Sequence, residues 1–128
     1  MKSIFIISAN SDIAKEIIKY YKNKNWNIYG TYRNDKDSFL KSLDKKNFIK
    51  IDLEKDKLNI IRLNNFIKKI PKIDIFTCLS QTQKPFGKFY DNDFVQWENS
   101  FYVNFLNPVK ILHKIYQKMS YNSSVIFF

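Results

Sequence analysis

Short apolar runs alternate with segments of helical periodicity along this chain. The apolar runs predict five strands, at Ser3–Ser8, Trp26–Tyr32, Phe48–Asp52, Ile73–Leu79 and Val125–Phe128. Helices are predicted from Asp12 into the polar run Lys22–Asn25, at Lys36–Leu43, at Leu58–Ile70 and at Asp93–Met119, the last interrupted near Pro108. Because parallel strands need crossover connections, this alternation predicts a parallel sheet covered by helices.

The spacing of apolar residues within two helical segments predicts which faces are buried. In the segment Leu58–Ile70 we expect Ile61, Phe66 and Ile70 to point into the core, and Pro71 to end the helix. A second set of apolar side chains at helical spacing comprises Trp97, Phe101, Phe105 and Leu112. We expect this second set to form part of the core or of an interface.

The composition is that of a globular protein and excludes several classes. Of 128 residues, 45% are hydrophobic, which is enough for a substantial core. No apolar run approaches the roughly 18 residues that span a membrane, and none resembles a signal peptide, so we expect a cytoplasmic protein. The single cysteine, Cys78, excludes an internal disulfide and a cysteine-based zinc site. The net charge of +10 comes from scattered lysines, so nucleic acid is not the expected partner.

The segment between the first strand and the first helix carries the strongest functional signal. It runs Ser8-Ala9-Asn10-Ser11-Asp12-Ile13, and the strand that follows the helix ends near Arg33. This order of strand, tight turn, helix and strand is that of a dinucleotide-binding βαβ unit. It predicts one α/β domain over residues 1–128, with a Rossmann-type doubly wound parallel sheet of about five strands in the order 3-2-1-4-5.

We predict that this turn binds a cofactor pyrophosphate at the helix N-terminus, where free N–H groups and the helix dipole attract anions. The candidate residues are Ser8, Asn10, Ser11, Asp12 and Ile13. Such turns normally carry glycines, and this one has none. The Asp12 carboxylate would also weaken phosphate binding by roughly 1 kcal/mol through repulsion. Ordinary helix capping by Ser, Asn and Asp is the alternative explanation.

The ends of the second and third strands supply further candidates. Arg33 lies roughly twenty residues after the turn, where an arginine accommodates the 2′-phosphate of NADP and an acidic residue would favour NAD. We therefore predict NADP rather than NAD. Asp52 and the adjoining Leu53 lie at the carboxyl edge of the sheet, where open α/β folds bind ligands. The alternatives are a solvated charge at Arg33 and a cap for the segment that begins at Leu53.

These features together resemble the N-terminal half of a short-chain dehydrogenase/reductase, and the resemblance runs over essentially the whole chain in element order. The family's turn reads Thr-Gly-x-x-x-Gly-x-Gly, and its named positions correspond here to Ile7, Ser8, Asp12 and Ala14. Ser8 in place of the first glycine is the less usual replacement. The family's Asp after the third strand, which bonds the adenine, matches Asp52.

Two later segments extend the resemblance. Cys78-Leu79-Ser80-Gln81 stands where the family has Asn-Asn-Ala-Gly, which places Ser80 among the implied cofactor-binding residues. Asn104 matches the Asn of the family's catalytic tetrad, which implies a catalytic role. Pro108 cannot donate a hydrogen bond to the Asn104 carbonyl and should kink the helix. In the family this carbonyl holds a water linked to the catalytic lysine; a simple break between two helices is the alternative.

The resemblance implies an NAD(P)-dependent oxidoreductase that transfers hydride between a nicotinamide and a small carbonyl compound or alcohol. It also implies a homo-oligomer, because this helical region forms the subunit interface in relatives. The family's catalytic Ser and Tyr-x-x-x-Lys follow the fifth strand, where this chain stops, so we expect the truncated chain to be inactive alone. The alternative hypothesis is a non-catalytic nucleotide-binding or interaction module.

Overall fold

A single parallel sheet organises the molecule, a computed structural model that describes residues 1–35 and 38–128. Its strands are β1 (Ser3–Ile7), β2 (Asn27–Tyr32), β3 (Phe48–Lys50), β4 (Ile73–Cys78) and β5 (Met119–Phe127). They are all parallel and lie in the order β3-β2-β1-β4-β5. The predicted Rossmann-type sheet with strand order 3-2-1-4-5 is thus confirmed.

The sheet separates two apolar cores, and β1 contributes to both because its side chains alternate between the faces. Phe5 lies on one face, where its ring stacks on Phe76 with the centroids 5.8 Å apart. Ile4 and Ile6 lie on the other face, beneath helix α1 (Asp12–Asn23). All five residues of β1 are buried, as expected for the central strand of a sheet that is covered on both sides.

Helix α2 (Ile60–Lys68) lies over the Phe5 face and is shorter than the predicted segment Leu58–Ile70. It begins after Asn59, whose side chain accepts the N–H of Arg62. The prediction that Ile61 points inward is wrong, since this side chain is 77% exposed. Leu63 and Ile67 are buried instead, because their four-residue spacing places them on one helix face.

The long helical region predicted at Asp93–Met119 consists of several pieces. Helix α3 (Phe94–Phe101) continues through a π-helical turn (Tyr102–Leu106) into helix α4 (Asn107–Ile115). The interruption therefore comes before Pro108 and not at it. Since Pro108 has no N–H to close an ordinary helical turn on Asn104, the wider turn accommodates it.

The apolar set predicted in this region divides between core and surface. Leu112 packs against the core beneath α4, and Trp97 is half-buried with its indole N–H donating to the Phe89 carbonyl at 2.9 Å. Phe101 and Phe105 are 56% and 49% exposed, and their rings contact each other. The exposed pair therefore belongs to a surface.

Three other predicted elements differ in length from the observed ones. β5 begins at Met119, well before the predicted Val125, and β3 ends at Lys50 instead of Asp52. The predicted helix Lys36–Leu43 is represented by a 3₁₀ turn at Phe39–Ser42, while Lys36 and Asp37 lie outside the described residues. Among the described helices, none has the length and apolar character needed to cross a membrane.

Candidate functional site

A cleft opens at the carboxyl edge of the sheet, where β1, β2, β3 and β4 end. Its volume is about 330 Å³. It is lined by Ser8, Thr31, Arg33, Ile51, Asp52, Leu53, Glu54, Ser80, Gln81, Thr82, Lys84, Asn99 and Val103. This is the edge at which open α/β sheets bind their ligands, because the loops that leave the strands diverge there.

The turn after β1 forms one wall of the cleft and is tied to β2. Ser8 has a positive φ of 65°, a conformation that a glycine would adopt without strain. Its N–H donates to Thr31 Oγ1 at 3.2 Å, and the N–H of Ala9 donates to the Thr31 carbonyl at 2.8 Å. The turn is therefore well defined although it has no glycine.

Gly30 allows this turn to lie so close to β2. A Cβ atom at Gly30 would lie 2.5 Å from the Ile6 carbonyl oxygen and 3.0 Å from Ala9 Cβ. The first distance is shorter than any real carbon–oxygen contact, so a side chain here would push the two central strands apart. The turn itself has no glycine, and the glycine in β2 lets the turn and the strand come this close.

The N-terminus of α1 retains donors for an anion. Ser11 is the N-cap, and its Oγ accepts the N–H of Ala14 at 3.2 Å. The N–H groups of Asp12 and Ile13 have no helical partner, as in any first turn, and no other described residue accepts them. These two donors fit a cofactor phosphate, whereas the exposed Asp12 carboxylate beside them opposes it.

Asn10 connects the turn to the segment after β2. Its side-chain Nδ2 donates to the carbonyl of Asn34, next to Arg33. The amide is thereby engaged within the protein, and it fixes the distance between the helix N-terminus and the arginine. The structure thus gives Asn10 a positioning contact at the predicted site.

Four charged groups meet where β2 and β3 end. Lys57 Nζ donates to the Glu54 carboxylate and lies 3.9 Å from Asp52 Oδ2. Arg33 lies on the other side of Glu54, with its guanidinium 3.9 Å from Oε1. The hydrogen bond from Lys57 lowers the pKa of Glu54 against a smaller opposing effect of burial, and the Arg33 charge lowers it further. Glu54 is therefore ionised at neutral pH.

Asp52 has a structural contact as well as a place in the cleft. Its Oδ1 accepts the N–H of Glu54 at 2.9 Å, which is the local cap anticipated as the alternative to ligand binding. This contact turns the chain away from β3 and explains why the strand ends before Asp52. Asp52 and the adjoining Leu53 still line the cleft, so the cap and the cofactor role are compatible.

Two asparagines of the helical region hold the segment that carries Glu54. Asn107 is almost fully buried, and its Nδ2 donates to the carbonyls of Leu53 at 2.7 Å and Glu54 at 3.2 Å. Asn99 Oδ1 accepts the N–H of Lys55 at 3.0 Å. Because these bonds join the backbone to a helix far along the chain, the cleft wall does not depend on local turn geometry alone.

The end of β4 contributes hydroxyl and thiol groups. Ser80 Oγ donates to the Val103 carbonyl at 3.2 Å and lies 3.1 Å from the sulfur of Cys78. Cys78 is buried, and burial raises the pKa of its thiol, so the group stays protonated. Ser80 lines the cleft, and its hydroxyl joins the end of β4 to the π-helical turn.

Asn104 fastens the loop after β4. Its Oδ1 accepts the N–H of Thr82 at 2.7 Å, and its Nδ2 donates to the Thr82 carbonyl at 2.9 Å and contacts Ser100 Oγ at 3.3 Å. Within the described residues, the side chain of Asn104 lies behind the cleft wall that Thr82 forms. A direct chemical role stays a prediction, whereas the positioning of this loop is observed.

The structure gathers half of the predicted site residues in one cleft. Those lining it are Ser8, Arg33, Asp52, Leu53 and Ser80. The helix N-terminus at Ser11, Asp12 and Ile13 lies beside the turn, and Asn104 supports the opposite wall. No three His, Cys, Asp or Glu side chains of the described residues are placed to hold a metal ion.

Sequence reasoning missed several residues of the site. Glu54 was overlooked because its contact with Arg33 joins the ends of two different strands. Asn107 carried a usable signal, since an asparagine inside an apolar helix must satisfy its amide. Gly30 carried another, as a glycine within an apolar strand indicates close approach of another backbone.

Solved short-chain dehydrogenases/reductases share this α/β fold. One from Saccharomyces cerevisiae matches with a TM-score of 0.79 and 20% identity, over 99% of this chain and 53% of its own. One from Shigella flexneri matches with a TM-score of 0.81 and 12% identity, over 98% of this chain and 54% of its own. BdcA, solved in complex with NADPH, matches with a TM-score of 0.75 and 16% identity, over 98% and 50%.

These similarities confirm the resemblance inferred from the sequence at the level of fold. The chain spans about half the length of the solved proteins it matches. No family model matches the chain, and no curated protein matches it in sequence. At such low sequence identity the likeness concerns the fold alone.

Proposed function

We propose that this chain binds a nicotinamide dinucleotide, NADP in preference to NAD, as the cofactor-binding half of a short-chain oxidoreductase. The observation that carries the proposal is the cleft at the carboxyl edge, which Ser8 and Arg33 line together beside the N-terminus of α1. A phosphate-binding helix start and an arginine at the end of the second strand are the two requirements of such a site.

Each part of the cleft has a proposed partner on the cofactor. The N–H groups of Asp12 and Ile13 would hold the pyrophosphate, with Ser8, Asn10 and Ser11 forming the turn around it. Arg33 would bind the 2′-phosphate, Asp52 and Leu53 would face the adenine, and Ser80 would face the far part of the molecule, since all four residues line the cleft. When bound, the nicotinamide supplies or accepts a hydride.

We also propose that the protein acts on a small carbonyl compound or alcohol when a C-terminal half supplies the catalytic Ser and Tyr-x-x-x-Lys, with Asn104 as its catalytic asparagine; the chain alone is expected to be inactive. Support comes from the π-helical turn at Tyr102–Leu106, because such turns occur often at functional sites. The exposed rings of Phe101 and Phe105 support self-association. A cytoplasmic location stays a prediction.

A second candidate is a non-catalytic nucleotide-binding or interaction module. Two features of the turn favour it. Ser8 takes a left-handed conformation at a position where glycine is the unstrained residue, and the Asp12 carboxylate lies beside the two free N–H groups. Both features weaken a phosphate site, so the two candidates differ in whether the cofactor binds.

Calorimetric titration of the chain with NADPH and with NADH at moderate salt tests the proposal. We expect NADPH to bind more tightly, and Arg33→Gln to weaken NADPH about tenfold while leaving NADH unchanged, since one charge-assisted contact to the phosphate is lost. Arg62→Gln, on the exposed side of α2, is the matched control and should change neither affinity.

Absence of binding by a folded protein would reject the cofactor proposal and favour the interaction module. Equal loss of both cofactors in Arg33→Gln would reject the NADP preference alone. A steep salt dependence of binding to random-sequence DNA, in place of cofactor binding, would instead indicate a basic nucleic-acid binder.

A further inference from the structure

Glu54 lies where it competes with a ligand for Arg33. Its Oε1 is 3.9 Å from the guanidinium, and both residues line the cleft. The Glu54 side chain is only 28% exposed, whereas that of Arg33 is 67% exposed. The arginine is therefore the more exposed partner of this pair.

The position of Glu54 is fixed from three directions. Lys57 donates to its carboxylate, Asn107 donates to its backbone carbonyl, and Asp52 accepts its N–H. A carboxylate anchored in this way does not move aside easily. A phosphate that approaches Arg33 therefore competes with a carboxylate that keeps its place beside the guanidinium.

The four described groups that form ion pairs at Glu54 carry no net charge before any ligand arrives. Arg33 and Lys57 supply two positive charges, and Asp52 and Glu54 supply two negative ones. A 2′-phosphate carries nearly two negative charges at neutral pH, by analogy with other phosphate monoesters. A neutral cluster attracts such a group less than a cluster with a net positive charge would.

We infer that Glu54 is a specificity-determining residue that reduces the discrimination of this cleft between 2′-phosphorylated and unphosphorylated adenosine. The inference rests on the proposed function and deepens it, because it concerns the strength of the preference that Arg33 provides. Arg33 attracts the 2′-phosphate, Glu54 opposes it, and the cleft is accordingly a moderate selector for the phosphorylated nucleotide.

The test uses 2′,5′-ADP and 5′-AMP, which differ only in the 2′-phosphate, and the whole 128-residue chain. Glu54→Gln keeps the size of the side chain and removes its charge. We expect 2′,5′-ADP to bind roughly threefold more tightly and 5′-AMP to bind with unchanged affinity. The effect is small because the ion pair between Arg33 and Glu54 is partly exposed to solvent. Asp44→Asn is the control, since it removes a carboxylate from an exposed ion pair with Lys46 before β3.

The double variant Arg33→Gln/Glu54→Gln identifies the cation through which Glu54 acts. We expect it to lose the gain in 2′,5′-ADP affinity, because Glu54 acts on the phosphate site through Arg33. Persistence of the gain would overturn the inference, and so would an equal change for both nucleotides. Thermal unfolding of every variant confirms that the compared proteins are folded.

The outcomes separate this inference from the proposed function. If the parent chain binds both nucleotides and Glu54→Gln leaves their affinity ratio unchanged, the inference fails and the proposed function stands. If the parent binds neither these nucleotides nor NADPH and NADH, the proposed function fails and the inference with it.

Discussion

The two edges of the sheet use carboxylates in opposite ways. At the amino edge, Asp74 accepts the N–H of Ser3 at 2.8 Å and the hydroxyl of Ser120 at 2.9 Å. These bonds join the first residues of β1, β4 and β5. At the carboxyl edge, Glu54 shares its charge between two cations beside a cleft. The first carboxylate is enclosed by hydrogen bonds within the protein, whereas the second lies beside a cleft and is paired with an exposed arginine.

The pKa of Asp74 reflects this enclosure. Burial raises it, but the hydrogen bonds from Ser3 and Ser120, with the charges of Lys72 and Lys2, together hold it below the ordinary value. Its charged form is therefore part of the folded structure. The partners of each carboxylate therefore determine what it contributes to the protein. Substitutions at the two edges of the sheet test this difference.

The largest expected effect comes from the close approach of β1 and β2 at Gly30. Gly30→Ala should destabilise the protein by at least about 3 kcal/mol, because its Cβ would lie 2.5 Å from the Ile6 carbonyl oxygen and force β1 and β2 apart. Urea unfolding measures the change. Gly87→Ala is the control, where the space is open but φ is +100°, and it should cost about 1 to 2 kcal/mol. Equal losses would contradict the close-approach argument.

The next effect concerns the amino edge. Asp74→Ala should reduce the free energy of unfolding by about 2 to 3 kcal/mol, since it leaves the N–H of the fully buried Ser3 without its acceptor. Asp74→Asn keeps one acceptor oxygen and should cost about half as much. Chemical unfolding of both variants provides the measurement, and a loss below about 0.5 kcal/mol in Asp74→Ala would show that the edge is not held by this residue.

Acid unfolding provides a second reading of the same residue. A carboxyl whose pKa is lower in the folded state stabilises the protein above its unfolded pKa, and the contribution disappears as the pH falls through the folded value. The parent should therefore lose stability below about pH 4, the ordinary value of an Asp. Asp74→Asn should flatten that part of the profile, and an identical acid limb in parent and variant would contradict the assignment.

A smaller effect is expected behind the cleft wall. Asn104→Ala removes both hydrogen bonds to Thr82 and should cost about 1 to 2 kcal/mol. Amide exchange at Thr82 should accelerate at the same time, because its N–H becomes free. Asn92→Ala, which removes one exposed bond to the Phe86 carbonyl, is the control and should have little effect. Unchanged exchange at Thr82 would mean that the loop is held by other contacts.

The strand-end residues could be predicted because they depend on local patterns, and the sheet order could be predicted from the βαβ layout and the family resemblance. Apolar runs and helical spacing placed Arg33 and Asp52 at the carboxyl edge, where the structure has them. The start of β5 was missed, since the stretch from Ser120 to Ser124 is largely polar and has no strand-like alternation. A strand at the edge of a sheet can be polar because one side of it is exposed.

Contacts between distant segments were beyond such patterns. Asn107 holds the carbonyl of Leu53 across 54 positions, and Arg33 meets Glu54 only because β2 and β3 pair in parallel. Periodicity indicates which side of an element is buried, but not which neighbour it meets. The charge balance at Arg33, on which the proposed cofactor preference depends, could therefore be seen only in the folded chain.

The smallest expected effect on stability belongs to Glu54. Glu54→Gln should leave the urea midpoint indistinguishable from that of the parent, because ion pairs with exposed partners contribute little to folding. This is the converse of Asp74→Asn, which removes the same kind of charge at the other edge and lowers the midpoint. If both variants lowered it equally, Glu54 would be a structural carboxylate like Asp74. The proposed difference between the enclosed carboxylate at the amino edge and the carboxylate beside the cleft would then be wrong.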